Sequence, residues 1–237
     1  TRLTRRAQHH NRLGPELNTQ TRFFNFYEES VRHLLRDHPP EIYADALDAY
    51  EVHLAIYGFG QMGEALLAQI IRVCHFYREE TTLRISIFDQ RVAPHGDDDT
   101  LQRLFWQSHQ SLRDLHLLEI HFYHLPDAEH GIDDEQLQAA RDNAANPPSQ
   151  HFVCFDSDEN SASFALYLRD QLRNRHGPTD TYNASALGAW NAPVFVRLRQ
   201  RQGLGKLFLP LEISTNGEHR SGRESPDSLF AFGMIEQ

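Results

Sequence analysis

The stretch Val52–Gly63, VHLAIYGFGQMG, narrows the possible folds of this chain more than any other. A β-branched and aliphatic run leads directly into Gly58-x-Gly60-x-x-Gly63, and apolar residues at helical spacing follow at once. Each glycine in such a turn has its own physical task. The first makes the tight strand-to-helix turn, and the second removes a Cβ so that a ligand can approach the backbone. The third lets the helix pack closely on the strand. The amides of Phe59, Gly60, Gln61 and Met62 are then expected to face an anion, with the helix N-terminus adding its partial positive charge. A glycine pattern alone is weak evidence. Here a strand precedes it, a helix follows it, and an acid, Asp89, closes the next strand pattern, LRISIFD, which is the context that gives the motif meaning.

A carboxylate at Asp89 would accept hydrogen bonds from both adenosine-ribose hydroxyls and repel a 2′-phosphate. The motif therefore points to NAD or NADH. Arg91 pulls the other way, because an arginine there can hold a phosphate. The competing explanation of the loop is a tight turn that serves no ligand.

From Glu51 onward, strand and helix patterns alternate. Strands are expected at Val52–Tyr57, Leu83–Asp89, Leu115–Leu125, His151–Asp156 and Pro193–Arg199, with a short sixth at Leu229–Gly233. Helices are expected at Glu64–Tyr77, Thr100–Leu112, Asp133–Asn143 and Glu159–Arg175. Alternation of this kind means βαβ units and a parallel sheet, hence a doubly wound α/β fold of about six strands.

Residues 1–50 read differently. Arg2, Arg5, Arg6, Arg12 and Arg22 face one acid, Glu16, and Gly14-Pro15 breaks the chain. Thr21–Arg36 carries Phe23, Phe24, Phe26, Tyr27, Val31, Leu34 and Leu35 near helical spacing, and His38-Pro39-Pro40 stops that helix. A short second helix is expected from Pro40. The division is thus a basic, helical linker over 1–50 and an α/β domain over 51–237. The formal charge of −10 argues against nucleic acid as a partner of the whole chain. Cys74 and Cys154 sit inside apolar runs and read as reduced core thiols. No apolar run reaches the ~20 residues of a membrane helix. Because the first residue is Thr, the chain is expected to be a piece of a longer protein.

VHLAIYGFGQMGEALLAQII resembles the opening of the TrkA-N family, the NAD-binding regulatory domains of potassium uptake systems and of RCK-type channels and transporters. VCFDSDENSASFALYLRDQL, Val153–Leu172, resembles that family's fourth strand with its acidic turn and following helix. DSLFAFGMIEQ resembles its short last strand. The resemblance implies a pyrophosphate on Gly58, Phe59, Gly60, Gln61, Met62 and Gly63, a ribose on Asp89, and adenine beside Gln90. It places Asp156 and Ser157 near the second ribose or nicotinamide. NAD or NADH is the implied ligand, with AMP or ADP as relatives. A second copy of the domain and a membrane-embedded part of the parent chain are the implied partners. The basic residues of the linker would then lie on the cytoplasmic side of the membrane. The long HLPDAEHGIDDEQ segment departs from the short turn of typical members.

GFGQMGEAL also resembles the opening of imine, pyrroline-carboxylate and 6-phosphogluconate-type reductases. Those carry the loop at the very start of the chain and follow it with a long helical domain. A hydride-transfer enzyme needs a positioned acid or base beside the nicotinamide. Lys206 is the lone lysine, and no Tyr-x-x-x-Lys occurs. No catalytic residue is therefore assigned, and a regulatory domain is the favoured reading. The 15 histidines fall at no zinc-like spacing with cysteine, and Asp97–Asp99 and Asp156–Asn160 match no calcium loop. No metal site is expected. The basic run Arg197–Lys206 reads as a solvated turn.

Overall fold

The computed structural model describes residues 25–42, 51–74, 82–94, 100–113, 118–125, 147–174, 192–200, 204, 208 and 229–233. The arginine-rich stretch 1–22, Asp97–Asp99, the expected helix Asp133–Asn143 and Lys206 lie outside them.

Six strands form one sheet: β1 (Glu51–Tyr57), β2 (Thr82–Asp89), β3 (Leu118–His124), β4 (Gln150–Val153), β5 (Val194–Arg197) and β6 (Leu229–Phe232). Every pairing is parallel, and the spatial order is β3-β2-β1-β4-β5-β6. The chain winds outward from β1 to β3 and returns to lay β4 against the other side of β1. This is the doubly wound, Rossmann-like arrangement that the glycine loop and the strand–helix alternation anticipate. β1 is buried along its whole length, as a central parallel strand covered on both faces must be.

Helices α1 (Phe26–Asp37), α2 (Gln61–Val73), α3 (Thr100–Ser108) and α4 (Asp158–Asn174) complete the described elements. On one face, Leu54 and Ile56 of β1 share a core with Phe152, Phe195, Phe232, the α2 residues Met62, Leu66, Leu67, Ile70 and Ile71, and Phe105 of α3. On the other face, Ala55 and Tyr57 pack with Phe88, Val153, Val194, Val196 and the α4 residues Ala162, Phe164, Ala165 and Leu168. Cys74 and Cys154 are both buried free thiols. Burial pushes each up to about 12, so neither is a nucleophile at neutral pH. Among the described residues, no helix is long and apolar enough to cross a membrane.

The N-terminal helix is part of the first core, not a tether beside it. Asn25 caps α1 by accepting from the Tyr27 amide at 3.1 Å, and Val31, Leu34 and Leu35 bury against the cluster that holds β1 and α2. At its end, the His38 ring packs 4.8 Å from Phe195 and 4.7 Å from Phe230, while Gln150 Nε2 donates to the His38 carbonyl. Pro39 disfavours helix at the residue before it, so the chain leaves α1 there. α1 thereby covers part of the β5–β6 side of the sheet.

The second face also carries an unusual number of polar groups. Arg84 bridges Glu51 at 3.2 Å and Glu119 at 2.7 Å across three neighbouring strands. His53 Nε2 lies 2.8 Å from Ser86 Oγ, and the Tyr57 hydroxyl is 3.0 Å from His151 Nδ1. Burial, followed by repulsion from His53, lowers His151 to about 3. A histidine depressed in the fold titrates near 6.5 once unfolded, so protons favour the unfolded chain between those values. Stability conferred by the neutral ring is intact above pH ~6.5 and is lost as pH falls toward ~3, by up to ~1.4 kcal/mol per pH unit. Urea midpoints are expected to drop between pH 7 and pH 4.5, and less steeply in His151→Gln. Equal slopes in the two proteins would show that His151 takes its proton in the folded state.

Candidate nucleotide crevice

The strand order reverses between β1 and β4, and there the two outgoing turns meet. The Gly58 amide donates to the Phe88 carbonyl at 2.8 Å, and the Cys154 amide to the Tyr57 carbonyl at 2.7 Å. These bonds carry the sheet one residue past its regular pairing and fix where the chains diverge. β4 consequently stops at Val153, sooner than the expected Asp156, because residues after Cys154 turn along the rim of the crevice.

Gly58 has φ +89°, a left-handed conformation, and a Cβ on it would stand 2.7 Å from the Phe155 ring. A Cβ on Gly63 would overlap the Gly58 carbonyl oxygen. Both glycines are required by the protein's own packing. Gly60 differs. Its φ of −73° and ψ of −163° suit any residue, and among the described residues a Cβ would meet nothing nearer than Asp156 Oδ2 at 3.6 Å. Packing does not explain why Gly60 lacks a side chain. Gly60 is also the N-cap of α2, and it supplies no side-chain hydrogen bond to the first-turn amides. Gln61 and Met62 open α2, so their amides are among those that the helix itself leaves without a partner.

Phe59 has a different position from the one the motif implies. Its ring is 6% exposed and packs edge-on against Phe105 and Phe122, at 5.9 and 5.3 Å. Its amide donates to Asp89 Oδ2 at 2.6 Å. Phe59 thus anchors the loop, and its amide is not open to a pyrophosphate. Met62 is likewise core, 1% exposed, so only its backbone is available to a ligand. Gln61 and Gln90 are exposed.

Asp89 is at the expected place, the end of β2, but its acceptors are already in use. Oδ1 accepts from the Arg91 amide at 2.9 Å and from Arg91 Nε at 2.8 Å. Oδ2 accepts from Arg91 Nη2 at 3.2 Å in addition to the Phe59 amide. Arg91 Nη2 also donates to the Phe59 carbonyl at 2.6 Å. Burial alone would raise the Asp89 carboxyl. The Arg91 side chain, then the Arg91 and Phe59 amides, outweigh it and hold the group below its ordinary value. The Arg91 side chain is half exposed, and any group approaching Asp89 has to displace it.

On the far side of the crevice, Asp156 is 76% exposed and sits opposite Gly60. Ser157 is exposed, and its hydroxyl accepts from the Asn160 amide at 3.3 Å, which makes it the cap of α4. Asp158 accepts from the Arg199 and Gln200 amides and ties the end of β5 to α4. Arg197 was read from the sequence as part of a solvated basic turn. It is instead among the largest fully buried side chains. The alternation of VFVR could have shown this, since it puts Arg197 on the same side of β5 as the core residue Phe195. Among the described residues, no cluster of three or more His, Cys, Asp or Glu side chains is placed to hold a metal ion.

These assignments separate on stability. Gly63→Ala should cost several kcal/mol or fail to fold, because backbone has to move. Gly60→Ala should stay within ~0.5 kcal/mol of the parent in urea denaturation. A large loss in Gly60→Ala would return Gly60 to an architectural role.

No protein-family model matches the chain, and comparisons with curated proteins and with solved structures return no match either.

Proposed function

We propose that the chain is a nucleotide-sensing regulatory domain whose crevice binds NAD(H) or a related adenine nucleotide. Gly60 carries this reading. It is the one loop glycine that folding does not require, and it faces the switch point of a doubly wound sheet beside uncapped helix amides. A backbone left bare at that position fits the close approach of a phosphate. Gly58, Gly60, Gly63 and the amides of Gln61 and Met62 would hold the phosphates. Asp89, once Arg91 swings aside, would take the adenosine ribose, with Gln90 alongside. The half of the crevice beyond Gly60 is lined by Asp156 and Ser157.

The role proposed is regulatory rather than catalytic, of the kind implied by the likeness to TrkA-N and RCK domains of potassium channels and transporters. Support comes from the packing of α1 directly on α2, the helix whose N-terminus faces the ligand. A ligand that prefers one position of α2 thereby biases α1, and through it whatever precedes α1 in the parent protein. In this reading the domain works on the cytoplasmic side of a membrane, paired with a second copy.

Differential scanning fluorimetry tests the binding step. At a hundredfold excess over Kd, NADH or another adenine nucleotide should raise Tm by about 5–10 °C. Gly60→Ala should abolish that rise while keeping the unliganded Tm. If no adenine nucleotide moves the melting curve, sensing through this crevice is wrong.

A further inference from the structure

We propose that Arg197 and Arg199 form an anion subsite on the β4–β5 side of the crevice that receives the terminal phosphate of an adenosine di- or triphosphate. Asp156 occupies the subsite in the free protein as an internal competitor. The proposal rests on the nucleotide-binding reading above and narrows its ligand to a nucleotide that ends in phosphate.

The first observation is how Arg197 is buried. At 1% exposure its guanidinium has left water, a step that costs several kcal/mol unless a matched partner is buried with it. Its Nη1 donates to the Phe155 carbonyl at 2.6 Å and reaches Asp156 Oδ1 at 3.3 Å, while its Nε is buried with no hydrogen-bond partner. Among the described residues, the only carboxylate it meets is thus the exposed Asp156. Arg84 on the opposite face provides the contrast, since Glu51, its partner at 3.2 Å, is as buried as Arg84 itself. Arg84 belongs to a structural ion pair. Arg197 has a buried charge whose counter-ion faces solvent.

The second observation is what Asp156 touches. Oδ1 lies 3.3 Å from Arg197 and 3.5 Å from Arg199 Nη2, and Oδ2 is 3.6 Å from the position of a Cβ on Gly60. One carboxylate therefore spans two guanidinium groups and the bare glycine at the N-terminus of α2. A phosphate placed there would meet the same donors with a higher charge and in bidentate geometry, which guanidinium groups favour. Displacing Asp156 takes only a rotation of an exposed side chain.

The third observation is direction. With adenosine at the Asp89 end, a phosphate chain crossing Gly60 arrives at Asp156, Arg197 and Arg199. A dinucleotide puts its second phosphate where ADP puts its terminal one, but that phosphate is esterified to ribose and carries a single charge. A terminal phosphate brings a further charge and a third free oxygen to the same two guanidinium groups. Coulomb energy then favours ADP and ATP over both NAD and AMP.

Isothermal titration of the chain with ADP, ATP, AMP and NADH tests the subsite. ADP and ATP should bind roughly tenfold or more tightly than AMP and NADH. Arg199→Gln should bring ADP and ATP down to the affinity of AMP and leave AMP itself unchanged. Asp156→Asn should tighten ADP and ATP several-fold, because the competitor loses its charge. Both variants alter exposed side chains, so the test does not depend on Arg197 variants folding. Equal affinities for ADP and AMP, or an Arg199→Gln loss shared by AMP, would overturn the subsite and leave nucleotide binding standing. Failure of all four nucleotides to bind would overturn both.

Discussion

The close approach of α2 to the end of β1 is the constraint from which the rest of this structure follows. Gly63 lies so near the Gly58 carbonyl that a single Cβ would force them apart. Because that Cβ is missing, the helix starts immediately after the turn. The same closeness sends the Phe59 ring inward between α3 and β3 and brings the Phe59 amide to Asp89. α2 then offers its outer side to α1. One sub-ångström requirement in the loop thus sets the position of two helices and the mouth of the crevice.

Charge is distributed around that mouth in pairs that differ in burial. Asp89 is buried and saturated, and its partner Arg91 is half exposed. Arg197 is buried, and its partner Asp156 is exposed. In each pair the fixed member lies in low dielectric, where an uncompensated charge is costly, and the other can leave into water. The Glu51–Arg84–Glu119 ladder lies on the opposite face, with Arg84 and Glu51 both buried, and it reads as architecture.

The polar row on the second face has a structural consequence too. His53 pairs with Ser86, and Tyr57 with His151, in the middle of the parallel sheet. Buried pairs of this type fix register, since a slip along the strand leaves each donor facing a hydrocarbon. The register Ala55↔Ser86 and Ala55↔His151 is the one that keeps them matched.

Local pattern was enough for the architecture. The apolar run into Gly58-x-Gly60-x-x-Gly63, the strand ending at Asp89 and the alternation that follows specify a parallel, doubly wound sheet, because backbone sterics and side-chain periodicity act over short stretches. The sequence also placed Asp89 at the end of its strand, whereas Asp156 lies beyond the end of β4. The motif also gave Gly60 a task different from those of Gly58 and Gly63, but the room for a Cβ at Gly60 depends on Asp156, far away in the chain. It did not show that Phe59 is an anchor, or that Asp89 is already claimed by Arg91. The Phe59 and Asp89 pairings belong to the tertiary structure alone, since they arise only when the ends of β1 and β2 lie side by side, whereas the alternation of VFVR already put Arg197 on the face of Phe195.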